Sequence, residues 1–72
     1  MPFEEAVTVF GDVLSETVDV QEVDGEVREV TIGRSVLGRV LDVVSTERDG
    51  QNRIISAREA NTVELHRYEE RS

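Results

Sequence analysis

The order of signals along this chain predicts an α+β domain, a small antiparallel sheet of three to four strands with an N-terminal and a C-terminal helix. Three observations carry that prediction. The first residues place apolar side chains at helical spacing. The middle is rich in Val, Ile and Thr and is punctuated by turn residues. The closing run opens on an Asn-x-x-Glu start.

The N-terminal helix is expected over residues 2–11. Phe3, Ala6, Val7 and Phe10 fall at i, i+3, i+4 and i+7, the stripe that faces a core. Pro2 suits a first turn, Glu4 and Glu5 complement the positive helix end, and Gly11 supplies a stop. A short strand over 13–17 is expected next, then an acidic loop to Gly25. That loop reads as a solvated segment rather than a metal site, because its carboxylates imply no ligand geometry. No metal and no cofactor are expected.

Residues 27–34 and 39–48 read as strands joined by a loop over 35–38. Asp49-Gly50 signals a tight hairpin, since both central positions of a type I′ turn need positive φ. Residues 51–58 return as the next strand. Taken at face value, the two loops pair Arg34 with Arg39, Ile32 with Leu41, Arg48 with Gln51, and Val44 with Ile55. Paired residues share a face. One face then carries Arg28, Val30, Ile32, Leu41, Val43, Ser45, Glu47, Ile54, Ser56 and Arg58, and is the face expected under the helices. The other carries Val27, Glu29, Thr31, Val40, Asp42, Val44, Thr46, Arg53, Ile55 and Ala57. A single bulge would swap the faces. The last helix spans 61–70, with Asn61 as cap and Glu64 three residues on. Its apolar residues Val63, Leu65 and Tyr68 form no clean stripe, which suits a helix that rests on a partner.

Composition bounds the function. The chain has 72 residues and a formal charge of −8, from 16 acids against 8 basic residues, every one of them arginine. With no cysteine there is no disulfide framework, zinc ribbon or thiol nucleophile. No apolar run approaches the roughly 20 residues of a membrane span, and no basic leader is visible, so a cytoplasmic location without membrane contact is expected. An acidic chain repels nucleic acid at long range, so any such role needs a local arginine cluster. At this size only ~60% of the unfolded surface is buried, which hints at a protein meant to be bound.

Five runs, FEEAVTVFGD (3–12), GEVREVTIGRS (25–35), GRVLDVVSTER (38–48), RIISAREA (53–60) and ELHRYEE (64–70), make the chain similar to a known family. In order and spacing they resemble BrnT, the toxin half of BrnT/BrnA type II toxin–antitoxin systems. The resemblance implies a RelE-like fold, a small sheet with helices on one side, and metal-independent RNA cleavage that inhibits translation. It also implies neutralisation by a BrnA-like ribbon-helix-helix antitoxin, with DNA contacted only through that partner; a homodimer is a further expectation. Relatives carry a strand and a helix, with a Trp-Asp start and a Lys-His-Gly run, ahead of the F-E-E-A segment. Here Met1-Pro2 precedes Phe3 directly, so a single domain over 1–72 lacking that strand and helix is expected. The basic positions that open the family's last helix correspond here to Glu59, Thr62, Val63 and Leu65. Asp42 stands where an apolar residue is usual, and Ser45 where His or another bulky residue is common. These departures and the −8 charge favour an alternative, a catalytically impaired module that binds only an antitoxin or itself.

Metal-free RNA cleavage needs a base for the 2′-hydroxyl, cations for the growing phosphate charge, and an acid for the 5′-oxygen. Arginine suits the second role because its planar fork grips oxyanions in pairs. The resemblance puts Arg28, Arg53 and Arg58 on recurring arginine positions, with Arg58 placed first. On the expected register Arg28 and Arg58 share a face with Glu47, while Arg53 is opposite. Glu47 and His66 are candidate bases or acids, and Tyr68 a candidate donor. Arg34, His66 and Tyr68 are candidate substrate contacts, His66 being of the one residue type that titrates near neutrality. Each has a plainer explanation. A strand-end arginine pairs with a carboxylate, as Arg28 with Glu47; His66 sits passively on an exposed helix. Tyr68 packs in the core or an interface, Glu64 caps, and Arg34 and Arg39 face water beside their loop.

Overall fold

A computed structural model describes residues 2–71. The chain opens with helix α1 (Phe3–Val7), which tightens into a 3-10 turn over Thr8–Gly11. Four strands follow, β1 (Glu16–Val23), β2 (Glu26–Arg34), β3 (Val40–Arg48) and β4 (Gln51–Glu59), and then helix α2 (Thr62–Glu69). The strands form one antiparallel sheet in the order β1-β2-β3-β4. The α+β class and the two terminal helices agree with the sequence prediction.

The expected acidic loop is instead an eight-residue edge strand, β1. An edge strand tolerates carboxylates because they point to water and discourage further pairing. The strand turns back through Asp24-Gly25, with φ of 52° and 79°, the same left-handed pair found at Asp49-Gly50. The strand expected over 13–17 begins only at Glu16, and residues 13–14 ahead of it form a turn. The Asp12 carboxylate accepts from the Leu14 backbone N–H at 3.0 Å and leaves Val13 exposed.

Two local features reset the register. Between β2 and β3, Gly38 takes φ of 86° and the Ser35 N–H bonds the Arg39 carbonyl, so Arg39 belongs to the loop. Arg34 therefore pairs with Val40 and Ile32 with Asp42, one residue from the expected pairing. Between β3 and β4 the expected pairs hold from Arg48–Gln51 to Ser45–Ile54. A bulge at Ile55 then shifts Val44 onto Ser56 and Asp42 onto Arg58. Because side chains alternate across a strand, each one-residue slip moves a whole set to the other face.

The two faces are covered by different helices. Leu41 and Val43 meet Ala6 and Val9 of the N-terminal helical segment, with Ile54 and Ala57 alongside. Their neighbours on the opposite face, Ile32 and Val40, meet Tyr68 of α2, with Leu14, Val18 and Ala60. Val40 and Leu41 are consecutive in β3, so the sheet lies between the two helical segments. The expectation of helices on one side is thereby corrected. So is the helical stripe, since Phe3, Val7 and Phe10 are exposed while Ala6 and Val9 are buried. The tightening after Val7 shortens the repeat to three residues, which turns Ala6 and Val9 inward together. At Gly33 the packing leaves no room: an added Cβ would lie 2.7 Å from Val9 Cγ1 and 2.8 Å from the Ser15 Cβ.

Helix α1 is locked to the β2–β3 loop by a buried carboxylate, Glu5. It accepts from Ser35 Oγ at 2.7 Å and from Arg39 Nε at 3.0 Å, with Arg39 Nη2 on its other oxygen. These contacts hold the Glu5 carboxyl below its ordinary pKa, led by the Arg39 hydrogen bond. Arg39 also reaches Glu59 at 3.0 Å, tying in the end of β4.

Candidate nucleic-acid interface

The corrected register gathers the arginines. Arg28 pairs with Thr46 and Thr46 with Arg53, so Arg28 and Arg53 stand in one row across β2, β3 and β4. Two strand spacings separate their Cα atoms by about 10 Å. Arg58, beside Asp42, lies on the same face, about 15 Å along β4 from Arg53. Arg34 and Arg48 share it too, so five of the eight arginines stand on the α2 side of the sheet. The lane between the Arg28–Arg53 row and Arg58 is floored by half-buried Val30 and Val44 and by exposed Ser56. Helix α2 covers only the far end, through Tyr68.

Each arginine has a distinct setting. Arg53 makes no ion pair among the described residues and is exposed. Arg28 donates through Nε to Glu26 at 3.2 Å, a half-exposed pair, in place of the expected Glu47. Glu47 itself pairs with Asn52 on the opposite face, apart from the arginine row. Arg34 lies 5.5 Å over the Tyr68 ring and donates to the Gly38 carbonyl at 2.9 Å.

Arg58 is the most constrained. Its Nη1 donates to Glu64 Oε1 at 2.9 Å, and its Nη2 to Glu64 Oε2 at 3.1 Å and to Asp42 Oδ2 at 2.9 Å. Glu64 arrives from the first turn of α2, fixed there by the reciprocal capping box with Asn61 that the sequence indicated. Asp42 is buried in mid-strand. Desolvation first, then the hydrogen bond and negative charge of Glu64, push its carboxyl up to about 6. Burial also lifts Glu64, but hydrogen bonds from Asp42, the Asn61 backbone and Arg58 outweigh it, and Glu64 sits below its ordinary value. The pair thus holds a shared proton on the Asp42 side in mildly acidic solution.

Tyr68 is buried, and its hydroxyl donates to Asp12 Oδ2 at 2.6 Å. The same oxygen accepts the Arg34 backbone N–H at 2.8 Å, so Asp12 pins α2 to the end of β2. The Tyr68 hydroxyl titrates above its ordinary value, through burial and the adjacent Asp12 carboxylate. His66 stands exposed on α2. Asp42 and Glu64 are the members of this site that sequence reasoning left unassigned. The available signal was a lone carboxylate inside the apolar run V-L-D-V-V; what hid it was a pairing with Arg58 that only the bulge creates.

Residues 1–64 match the family of ribonuclease toxins, BrnT, of type II toxin–antitoxin systems. That span is most of the chain. The chain belongs to the BrnT family. The arginine-bearing sheet face is accordingly the face of a BrnT domain, and a family of type II toxins carries with it an antitoxin partner. No curated protein matches the chain. Among the described residues, no helix of this BrnT domain is long and apolar enough to cross a membrane.

Proposed function

We propose that this BrnT-family chain is a metal-independent RNA endonuclease of the cytoplasm, using the sheet face that carries Arg28, Arg53 and Arg58, and that a BrnA-like antitoxin silences it. The shared face of these three arginines is the observation that carries the reading. Three guanidinium groups around an open lane suit a single strand laid across β2, β3 and β4, with Arg28 and Arg53 on successive phosphates and Arg58 at the scissile one. Cleavage proceeds by attack of the 2′-oxygen on the adjacent phosphorus. Its proton passes to a base, the bond to the 5′-oxygen breaks, and that oxygen takes up a proton. The products are a 2′,3′-cyclic phosphate and a 5′-hydroxyl. Arginine stabilises the charge that grows on the phosphate. Proton transfer falls to His66, exposed on the helix over this face; Glu47 stands on the opposite face, out of reach of a strand bound here. Arg34 lies at the α2 end of the same face as a further phosphate contact, and Tyr68 beneath it supports Arg34 by stacking. DNA is reached only through the antitoxin.

The test is incubation of the purified chain with RNA in excess chelator, with products resolved by length and end group. Cleavage that Arg58→Ala abolishes, and Arg28→Ala or Arg53→Ala weakens, is the expected result. Intact RNA at high protein concentration would overturn it. One observation favours a second reading, a binding module without catalysis: Arg58 is already held by two carboxylates in a chain of charge −8. A stable antitoxin complex together with intact RNA would select that reading.

A further inference from the structure

We infer that Glu64 occupies the phosphate seat of Arg58, so that the first turn of α2 is a built-in competitor which RNA must displace. This rests on the reading of Arg58 as a phosphate clamp. Glu64 presents its two oxygens to Nη1 and Nη2 in parallel, at 2.9 and 3.1 Å. This is the end-on geometry in which a guanidinium receives two oxygens of a phosphate. The Arg58 side chain is 55% exposed and that of Glu64 only 16%, so the seat opens to solvent from the arginine side.

Beyond the Asn61 capping box, little holds Glu64 to the sheet except Arg58 and Asp42. Val63 and Leu65, which flank Glu64, are 77% and 37% exposed and anchor little. The buried anchor, Tyr68, lies one turn further on, where Arg67 and Arg71 also hold Glu16 at 2.8 and 2.7 Å. The first turn can therefore move while the rest of α2 stays docked. Asp42 meanwhile keeps its own hydrogen bond to Arg58 Nη2, so the guanidinium remains aimed across the sheet when Glu64 leaves. Asp42 is a positioning residue in this scheme. Charge points the same way: Glu64 and Asp42 together outweigh Arg58, and a phosphate approaching the closed seat meets net negative charge.

Glu64→Gln removes that charge and keeps the capping box, which accepts Gln at this position. The probe is a single-stranded RNA oligonucleotide 2′-O-methylated at each residue, so that it binds without being cut. Its affinity is read by fluorescence anisotropy at low salt. Glu64→Gln is expected to bind about five-fold more tightly than the parent, the factor an exposed ion pair can carry. Adding Arg58→Gln is expected to erase the gain. Equal affinity of parent and Glu64→Gln, with Arg58→Gln still weaker, overturns the inference and leaves the RNA reading standing. Affinity unchanged by Arg28→Gln, Arg53→Gln and Arg58→Gln alike overturns the RNA reading, and the inference with it. Should Glu64→Gln not fold, the parent protein supplies the test by NMR. The Arg58 Nε–H and Glu64 amide signals are expected to shift together on titration with the oligonucleotide. A shift at Arg58 with Glu64 unmoved overturns the proposal.

Discussion

Asp42→Asn isolates the unusual carboxyl at the centre of the arginine face. Asn keeps an oxygen for Arg58 Nη2 and offers an N–H to Glu64, as protonated Asp42 does, but it carries no charge to bury. In the parent, the folded chain holds the Asp42 proton up to about 6, whereas the unfolded chain releases it near the ordinary 3.8. Between those values the folded state binds more protons than the unfolded, so stability falls as pH rises and levels off above 6. At 1.36 kcal/mol per pH unit the full fall is about 3 kcal/mol. The cluster opens to water through half-exposed Arg58, and screening reduces this to about 1–2 kcal/mol. Glu64, held below its ordinary value, contributes with the opposite sign; its stabilisation is lost as pH falls, below the window used. The assay is urea unfolding followed by circular dichroism from pH 4.5 to 7.5, for parent and variant side by side. That window takes in roughly two-thirds of the fall, so the parent is expected to lose about 1 kcal/mol relative to Asp42→Asn across it. Against a total of roughly 4–11 kcal/mol for a chain of this length, the change is readily measured. A parent-minus-variant difference that stays flat with pH would refute the reasoning, because it would mean that Asp42 is not desolvated beside Glu64.

Other consequences follow from single contacts. Tyr68→Phe is expected to cost about 1–2 kcal/mol by removing the hydrogen bond to Asp12, and Tyr68→Ala about 3–5 kcal/mol with loss of α2 helicity; thermal melts check both. Gly33→Ala drives a methyl into Val9 and Ser15, and a loss of about 1–3 kcal/mol is expected in the same melts. If three arginines meet phosphates of single-stranded RNA, log affinity should fall with log salt at a slope near −2, and Arg53→Gln should reduce that slope by about 0.7; anisotropy titrations at several salt concentrations measure it. Asn61→Ala removes the cap of α2 and should lower stability by about 1 kcal/mol, read from urea midpoints.

What the sequence determined by itself was whatever depends on neighbours in the chain. The Asp49-Gly50 turn, the Asn61–Glu64 capping box, the β-rich middle and the terminal helices are local, and short runs of residues specify them. The family, too, was legible in the order of its motifs. The tertiary structure decided which side chains meet. Arg39 reads as the start of a strand, yet it sits in the loop because Glu5, thirty-four positions away, takes its guanidinium. A bulge at Ile55 carries no local signature, but it turns Arg58 and Ser56 to the face of Arg53. Without it, Arg53 and Arg58 would point to opposite sides. Strand pairing has a period of two, so one extra residue inverts a face, and the outcome is set by packing across the sheet rather than by propensity along it. The acidic stretch before Gly25 illustrates the same limit, since composition reads it as loop and only the neighbouring edge of β2 makes it a strand. The site was visible as residues; its assembly belongs to the fold.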